Sequence, residues 1–127
     1  MTESSFQFTN PILERITFEV NKEFDKNKQD GIPIEINVET KRIEEKMALS
    51  KLRLKIGGRD AKAPFFVDGI LSAEFSWKDD ISEELVTKLL KRNTAVMLIS
   101  YFRPIVANIT MQAGLPPFHI PFINVDN

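Results

Sequence analysis

Apolar and polar residues alternate through the first half of the chain. From Ile12, "ILERITFEV" sets Ile16, Phe18 and Val20 against Arg15, Thr17 and Glu19. That two-residue period predicts a half-buried strand. "NKEFDKNKQDGIP" follows, polar except for Phe24 and closing on Asp-Gly and Pro, and reads as a loop. A second strand, "IPIEINVETKRIE", places Ile32, Ile34, Ile36 and Val38 opposite Glu35, Asn37 and Glu39. In "MALSKLRLKIGG", Leu52, Leu54 and Ile56 alternate with Arg53 and Lys55. Only Glu45 and Lys46 separate these two runs, which predicts a hairpin. The fourth strand is "PFFVDGILSAEFSW". Val67, Leu71, Ala73, Phe75 and Trp77 share one face, and Phe66, Asp68, Ile70 and Glu74 the other, with Gly69 expected to mark a bulge.

After Trp77 the period changes to a helical one, carried by Leu85, Leu89, Val96 and Tyr101. Asp80 and Glu83 have capping-box spacing, and Asp79 and Glu84 add charge at the positive end of the helix dipole. A helix from about Ile81 to Ala113 would span about 50 Å. Between Ala95 and Phe102 it is apolar on nearly every side, Ser100 excepted, so one sheet cannot cover it and a second subunit is expected. Pro104 falls inside the pattern. Because Ile105 and Ile109 continue the spacing, a kink is expected there rather than an end. Gly114 terminates the helix and Pro116-Pro117 prevent its restart. The tail "FHIPFINV" is then apolar, and Pro116, Pro117 and Pro121 favour extended backbone. Its alternation groups Phe118, Ile120 and Phe122 on one side. The fold class is therefore α+β: a four-stranded antiparallel sheet, one long Pro-kinked helix and an extended tail, in a single domain over residues 1–127.

Composition narrows the function. The 127 residues include 17 Lys+Arg and 18 Asp+Glu, a net charge of -1, with no basic stripe for phosphate. Nucleic acid is not an expected partner. The absence of cysteine removes disulfides, thiolate metal sites and cysteine nucleophiles, and fits a reducing cytoplasm. The start, Met1 followed by "TESSFQFTN", does not resemble a signal peptide. No run reaches the ~18 consecutive apolar residues of a membrane span, so stable membrane insertion is not expected. Asp79/Asp80 and Glu83/Glu84 are better explained as helix-capping acids than as an acid/base pair. His119 is the only histidine and can build neither a metal cluster nor a triad. Gly57-Gly58-Arg59-Asp60 is a turn, not a phosphate loop. No catalytic residue, metal or cofactor is predicted, and no enzyme activity. What remains is surplus apolar surface, which usually means a partner.

Three stretches carry a resemblance: "ERITFEV" (Glu14–Val20), "PIEINVE" (Pro33–Glu39) and "YFRPIVANITMQAGLPPFHIPFINV" (Tyr101–Val125). With the order of elements, they resemble the SecB family of protein-export chaperones over nearly the whole chain, as a short, divergent member. That resemblance implies a homotetramer built as a dimer of dimers, with long helices between two eight-stranded sheets. It also implies an ATP- and metal-free holdase that keeps unfolded preproteins in apolar grooves beside the loop after the first strand and passes them to SecA. Carried over by position, the polypeptide-binding residues are Phe24, Ile32, Leu115, Phe118 and Phe122. The oligomer interface is expected at Ile16, Phe18, Ile99 and Phe102, and a SecA-type contact surface at Glu19, Phe66 and Asp68.

The sequence departs from the family in three places. Ile32 stands where the loop usually has tryptophan. Arg15 reverses a charge of the SecA-contacting surface. The sequence ends at Asn127, where SecB proper continues into a second helix that covers the groove. The alternative is a SecB-fold oligomer with one dedicated partner, such as an antitoxin. It also resembles divergent SecB-like proteins of uncharacterised function.

Overall fold

Alternating side chains give the sheet one dry face, and the helix lies across it. The structure, a computed structural model, describes residues 5–28, 31–60 and 62–123. The strands are β1 (Phe6–Phe8), β2 (Ile12–Val20), β3 (Ile34–Glu44), β4 (Met47–Gly57) and β5 (Phe65–Trp77). A single helix, α1, runs from Glu83 to Gln112, and a 3₁₀ turn at Lys26–Lys28 sits in the loop after β2. Asp30 of the expected turn, and Asn124 and Val125 of the tail, lie outside the described residues.

All pairings are antiparallel, in the order β1-β5-β4-β3, with β2 also paired to β5. β1 and β2 occupy the same edge: β1 faces Phe75–Trp77 and β2 faces Phe65–Ser72. The five strands therefore fill four positions. The first position lies beside the last strand, the arrangement of a Greek key. The alternation missed β1, because three residues are too few to display a period. Thr9 ties the break between β1 and β2 to β5. Its N–H donates to the Glu74 carbonyl at 2.9 Å, and its hydroxyl accepts from the Glu74 N–H at 3.1 Å. The β3–β4 hairpin turns at Glu45 and Lys46 as expected, with Glu44 opposite Met47.

The register shifts in β2 between Leu13 and Arg15 and in β3 between Arg42 and Glu44, and Gly69 does not mark a bulge. Gly69 sits in regular register opposite Leu54 and Ile16. It serves close packing instead: a Cβ there would lie 2.9 Å from Cε1 of Phe102. Gly57 ends β4 with φ +75, where a Cβ would meet the Phe65 carbonyl oxygen at 1.9 Å.

The N-cap of α1 is Ser82, whose hydroxyl accepts from the Leu85 N–H at 3.2 Å. Asp80 does not cap; it accepts a hydrogen bond from Ser5 at 2.7 Å. Glu83 pairs with Arg42 at 2.9 Å, and Arg42 lies 4.8 Å over the Trp77 ring, fastening the helix start to the sheet. At the other end, Gly114 has φ +82. Its N–H donates to Met111 O and the Leu115 N–H to Thr110 O, a Schellman motif.

Val86, Leu90, Thr94, Leu98, Phe102, Val106 and Thr110 are all buried, a strict interval of four. At 3.6 residues per turn such a row winds slowly round the helix. Within the stretch that looked apolar on every side, Ala95, Leu98, Ile99 and Phe102 are buried, while Val96 and Tyr101 stay exposed. The helix is continuous through Pro104. By length and composition α1 is also apolar enough to cross a bilayer, which counting consecutive apolar residues did not reveal. In this fold nine of its residues are instead buried within the chain.

Candidate polypeptide-binding surface

The tail runs back along α1. Ile120 is buried, and Leu115, Phe118 and Ile123 pack against the core. Phe118 meets Phe65 edge-on at 5.4 Å between ring centroids, and Phe65 stacks on Phe18 at 5.9 Å. Phe122, expected on the same side as Phe118 and Ile120, is instead 92 % exposed. Two polar side chains of α1 hold the tail's backbone: Thr110 accepts from the Phe118 N–H at 2.9 Å, and Arg103 donates to the Ile120 and Pro121 carbonyls at 3.3 Å each. Neither was singled out in the sequence. For Thr110 a signal existed, since it is a hydroxyl on the every-fourth buried row.

The loop after β2 reaches the same end of the sheet. Asn21 is anchored by its Nδ2 to the Asp60 and Ala63 carbonyls and by its N–H to Pro64 O. The Pro33 carbonyl accepts from Gly57 N–H, and Gly58 N–H donates to Phe65 O, so the end of this loop adjoins the β4–β5 connection beside Phe65, the ring that Phe118 meets. Ile32 packs on the core from there, and Phe24 is half-buried. Of the predicted set, Ile32, Leu115 and Phe118 pack on the core, Phe24 is half-buried in the loop, and Phe122, next to the Pro121 held by Arg103, is the most exposed.

A second apolar zone was only partly foreseen. A groove of about 700 Å³ separates β1 from the N-terminal half of α1, lined by Phe6, Phe8, Phe75, Leu85, Leu89 and Val96 among others. Phe8 packs on Phe75 and meets Tyr101 edge-on at 6.4 Å. Ile99 and Phe102, expected at a subunit interface, are already buried against the sheet of one chain, because they lie on the helix's inward face. The outward apolar side chains of α1 are Leu85, Val96, Tyr101 and Met111. Ile16 and Phe18 are half-buried on the sheet's inner face.

On the outer face Glu19 stands opposite Phe66, with Asp68 two residues further along β5. Arg59 pairs with Glu19 at 3.1 Å and lies 4.9 Å over the Phe66 ring. Asp68 is buried and receives two hydrogen bonds from Arg53, at 2.7 and 3.1 Å, and one from Arg15 at 3.3 Å. The Arg53 hydrogen bonds hold its carboxyl below the usual range, against the opposing effect of burial. The three residues do come together, but both acids already hold guanidinium partners. Among the described residues no three His, Cys, Asp or Glu side chains are placed to hold a metal ion.

The arrangement is an antiparallel sheet packed on one long helix, with apolar side chains of β1, α1 and the tail left exposed. The chain belongs to the SecB family: residues 3–127 match its profile, described as preprotein translocase subunit SecB. Membership supports a chaperone-like role. The chain is 26% identical over 128 residues to the uncharacterized protein MJ0357 of Methanocaldococcus jannaschii, covering 95% of this chain and 80% of that protein. Its fold is similar to the Mycobacterium tuberculosis SecB-like chaperone Rv1957, solved in complex with a ChAD peptide from the Rv1956 HigA1 antitoxin. There the TM-score is 0.68 at 17% identity, over 94% of this chain and 91% of that one. It also resembles a protein of unknown function from Streptococcus agalactiae, with TM-score 0.54 at 15% identity, over 92% and 97% of the two chains.

Proposed function

We propose that this protein is a SecB-like holdase that binds unfolded or nascent polypeptide and needs no catalysis, ATP or metal to do so. Clients bind at the end formed by Phe24, Ile32, Leu115, Phe118 and Phe122. The observation that carries this is the contrast along one tail: Phe118 and Ile120 are packed, while Phe122 is 92 % exposed beside them. A large aromatic held in the open by an ordered neighbour is suited to capturing apolar segments of varied sequence. The groove beside β1 and the outward face of α1 serve assembly into a cytoplasmic homo-oligomer, a dimer of dimers. Delivery to SecA through the Glu19, Phe66 and Asp68 patch, and hence a part in protein export, belongs to the same proposal.

The second reading is a dedicated partner, such as an antitoxin. What favours it is the likeness to Rv1957, which was solved with an antitoxin peptide. One experiment addresses both. The purified protein is titrated into a chemically unfolded test protein during dilution from denaturant, and the bound polypeptides are recovered from cells and identified. Suppressed aggregation with many clients supports the holdase. A single captured species with no effect on the test protein supports the dedicated partner. If neither result is obtained, the role in polypeptide binding falls.

A further inference from the structure

We propose that Arg103 and Thr110 form a two-point latch that fixes the register of the tail on α1 and so determines which aromatic faces the solvent; the client-binding part of this inference rests on the reading above. Residues 115–123 form no strand. Leu115, Phe118, Ile120 and Ile123 touch the core, but apolar burial is non-directional and cannot alone select one alignment of an extended segment. Burial and the polar contacts together can. The buried Thr110 hydroxyl shares its proton between the Val106 and Ala107 carbonyls, at 2.9 and 3.0 Å. Its lone pair accepts the Phe118 N–H at 2.9 Å. Arg103 donates through Nε to Ile120 O and through Nη2 to Pro121 O.

The spacing of the two points matches on both sides. Arg103 and Thr110 are seven residues apart, about 10 Å along a helix. Phe118 and the Ile120–Pro121 pair are two to three residues apart, about 7–10 Å in extended chain. A slip that set Pro117 or Pro116 opposite Thr110 would offer it no N–H. A one-residue slip the other way would present the His119 N–H, but it would turn Phe118 and Ile120 outward, since extended side chains alternate. A two-residue slip would force Phe122 into the buried slot of Ile120. Only the observed register satisfies both latch points and places Ile120 inside with Phe122 outside.

Hydrogen exchange and client affinity test this together on the full chain. Thr110→Val keeps the side-chain shape and removes the acceptor, so the Phe118 amide should exchange about tenfold faster. Amides of the helix centre, such as Leu98 and Phe102, should lose less protection than Phe118. Thr110→Ser, which retains the hydroxyl, should restore protection at Phe118. Arg103→Gln should likewise loosen the tail without melting α1. Affinity for a reduced, carboxymethylated polypeptide should fall in Thr110→Val and Arg103→Gln and recover in Thr110→Ser. Unchanged Phe118 exchange in both loss variants overturns the latch. Lost protection with undiminished affinity overturns its role in presenting Phe122. A wild-type chain that binds no unfolded polypeptide overturns the functional reading, and the latch is then decided by Phe118 exchange alone.

Discussion

The Phe102 ring rests directly on the backbone of Gly69: a Cβ at that position would lie 2.9 Å from Cε1 and 3.2 Å from Cζ. Phe102 is fully buried at the middle of the α1 contact, and the Arg15 carbonyl stands 3.5 Å away on the other side. The Arg15 contact is an ordinary one, so it is the buried Phe102 ring that would have to shift. Gly69→Ala should therefore destabilise the chain by about 1–3 kcal/mol, the cost of overpacking. Urea denaturation will measure it. Adding Phe102→Leu should recover part of the loss, and strictly additive effects in that double-mutant cycle would show that the contact is not limiting.

Thr94 and Thr110 lie on the same buried row of α1 but in opposite circumstances. Thr94 Oγ1 has no hydrogen-bond partner among the described residues, whereas Thr110 is bonded on three sides. Thr94→Val should be neutral or stabilising by about 1 kcal/mol, because it removes an unsatisfied group. Thr110→Val should destabilise by a similar amount. Thermal melts of the two variants moving in the same direction would contradict this account.

Much of the fold was legible because it depends on period. The β3–β4 hairpin, β5 and the Gly114 stop are all written in local pattern. The rest depends on what meets across distance. Asp80 and Glu83 had the right spacing for a cap, but Ser82 takes the position, and Asp80 turns to Ser5. Gly69 was expected to mark a bulge, and only the position of Phe102 shows that it serves close packing instead. Ile99 and Phe102 were expected to need a partner because their stretch is apolar on nearly every side, and only the contact with the sheet shows that they face inward while Val96 and Tyr101 face out. At the candidate site the aromatic residues could be read from the tail, while its polar fastening could not. Arg103 looked like one more charge beside Pro104.

The outer face should make stability depend on pH. The folded state holds Asp68 below its ordinary pKa, chiefly through Arg53, so its carboxylate is more acidic in the folded chain than in the unfolded one. That stabilisation is fully present above the unfolded-state pKa of about 3.9 and is lost as pH falls through the lower folded value. Urea midpoints from about pH 7 down to about pH 3 should decline, and Asp68→Asn should flatten the decline. At neutral pH the same variant should cost about 1–2 kcal/mol, since a charged hydrogen bond is lost while Arg53 can still reach water. A slope unaffected by Asp68→Asn would place the acid sensitivity elsewhere.

Assembly is tested by contrasting two sides of α1. Val96 is 50 % exposed and Ile99 only 2 %. If the outward face joins subunits, Val96→Asp should reduce the assembly seen by light scattering while each chain keeps its circular dichroism. Ile99→Asp should unfold the chain itself, because it buries an unpaired charge within one subunit. A wild-type protein that remains monomeric at micromolar concentration would remove the oligomer from the proposal.

The tail makes the sharpest distinction, because its two phenylalanines differ in burial by position alone. Phe118 touches Phe65 edge-on and its N–H is held by Thr110, so it belongs to the core's margin. Phe122 lies two residues beyond Ile120, and almost none of its surface is covered. Phe118→Ser should lower the melting temperature by several degrees, in line with about 1–3 kcal/mol for a half-buried aromatic. Phe122→Ser should leave the melting temperature and the oligomer unchanged and weaken binding of an unfolded client. That separation matters, since a variant that merely destabilises the chain would also bind poorly. Phe122→Leu supplies the control: it keeps an apolar side chain and should retain most of the affinity. If Phe122→Ser binds as tightly as the wild type, the exposed aromatic is not the contact, and Phe24 and Ile32 in the loop after β2 become the positions to substitute. If it melts early instead, Phe122 is covered in the assembled protein, and its place is at a subunit interface rather than in a groove for clients.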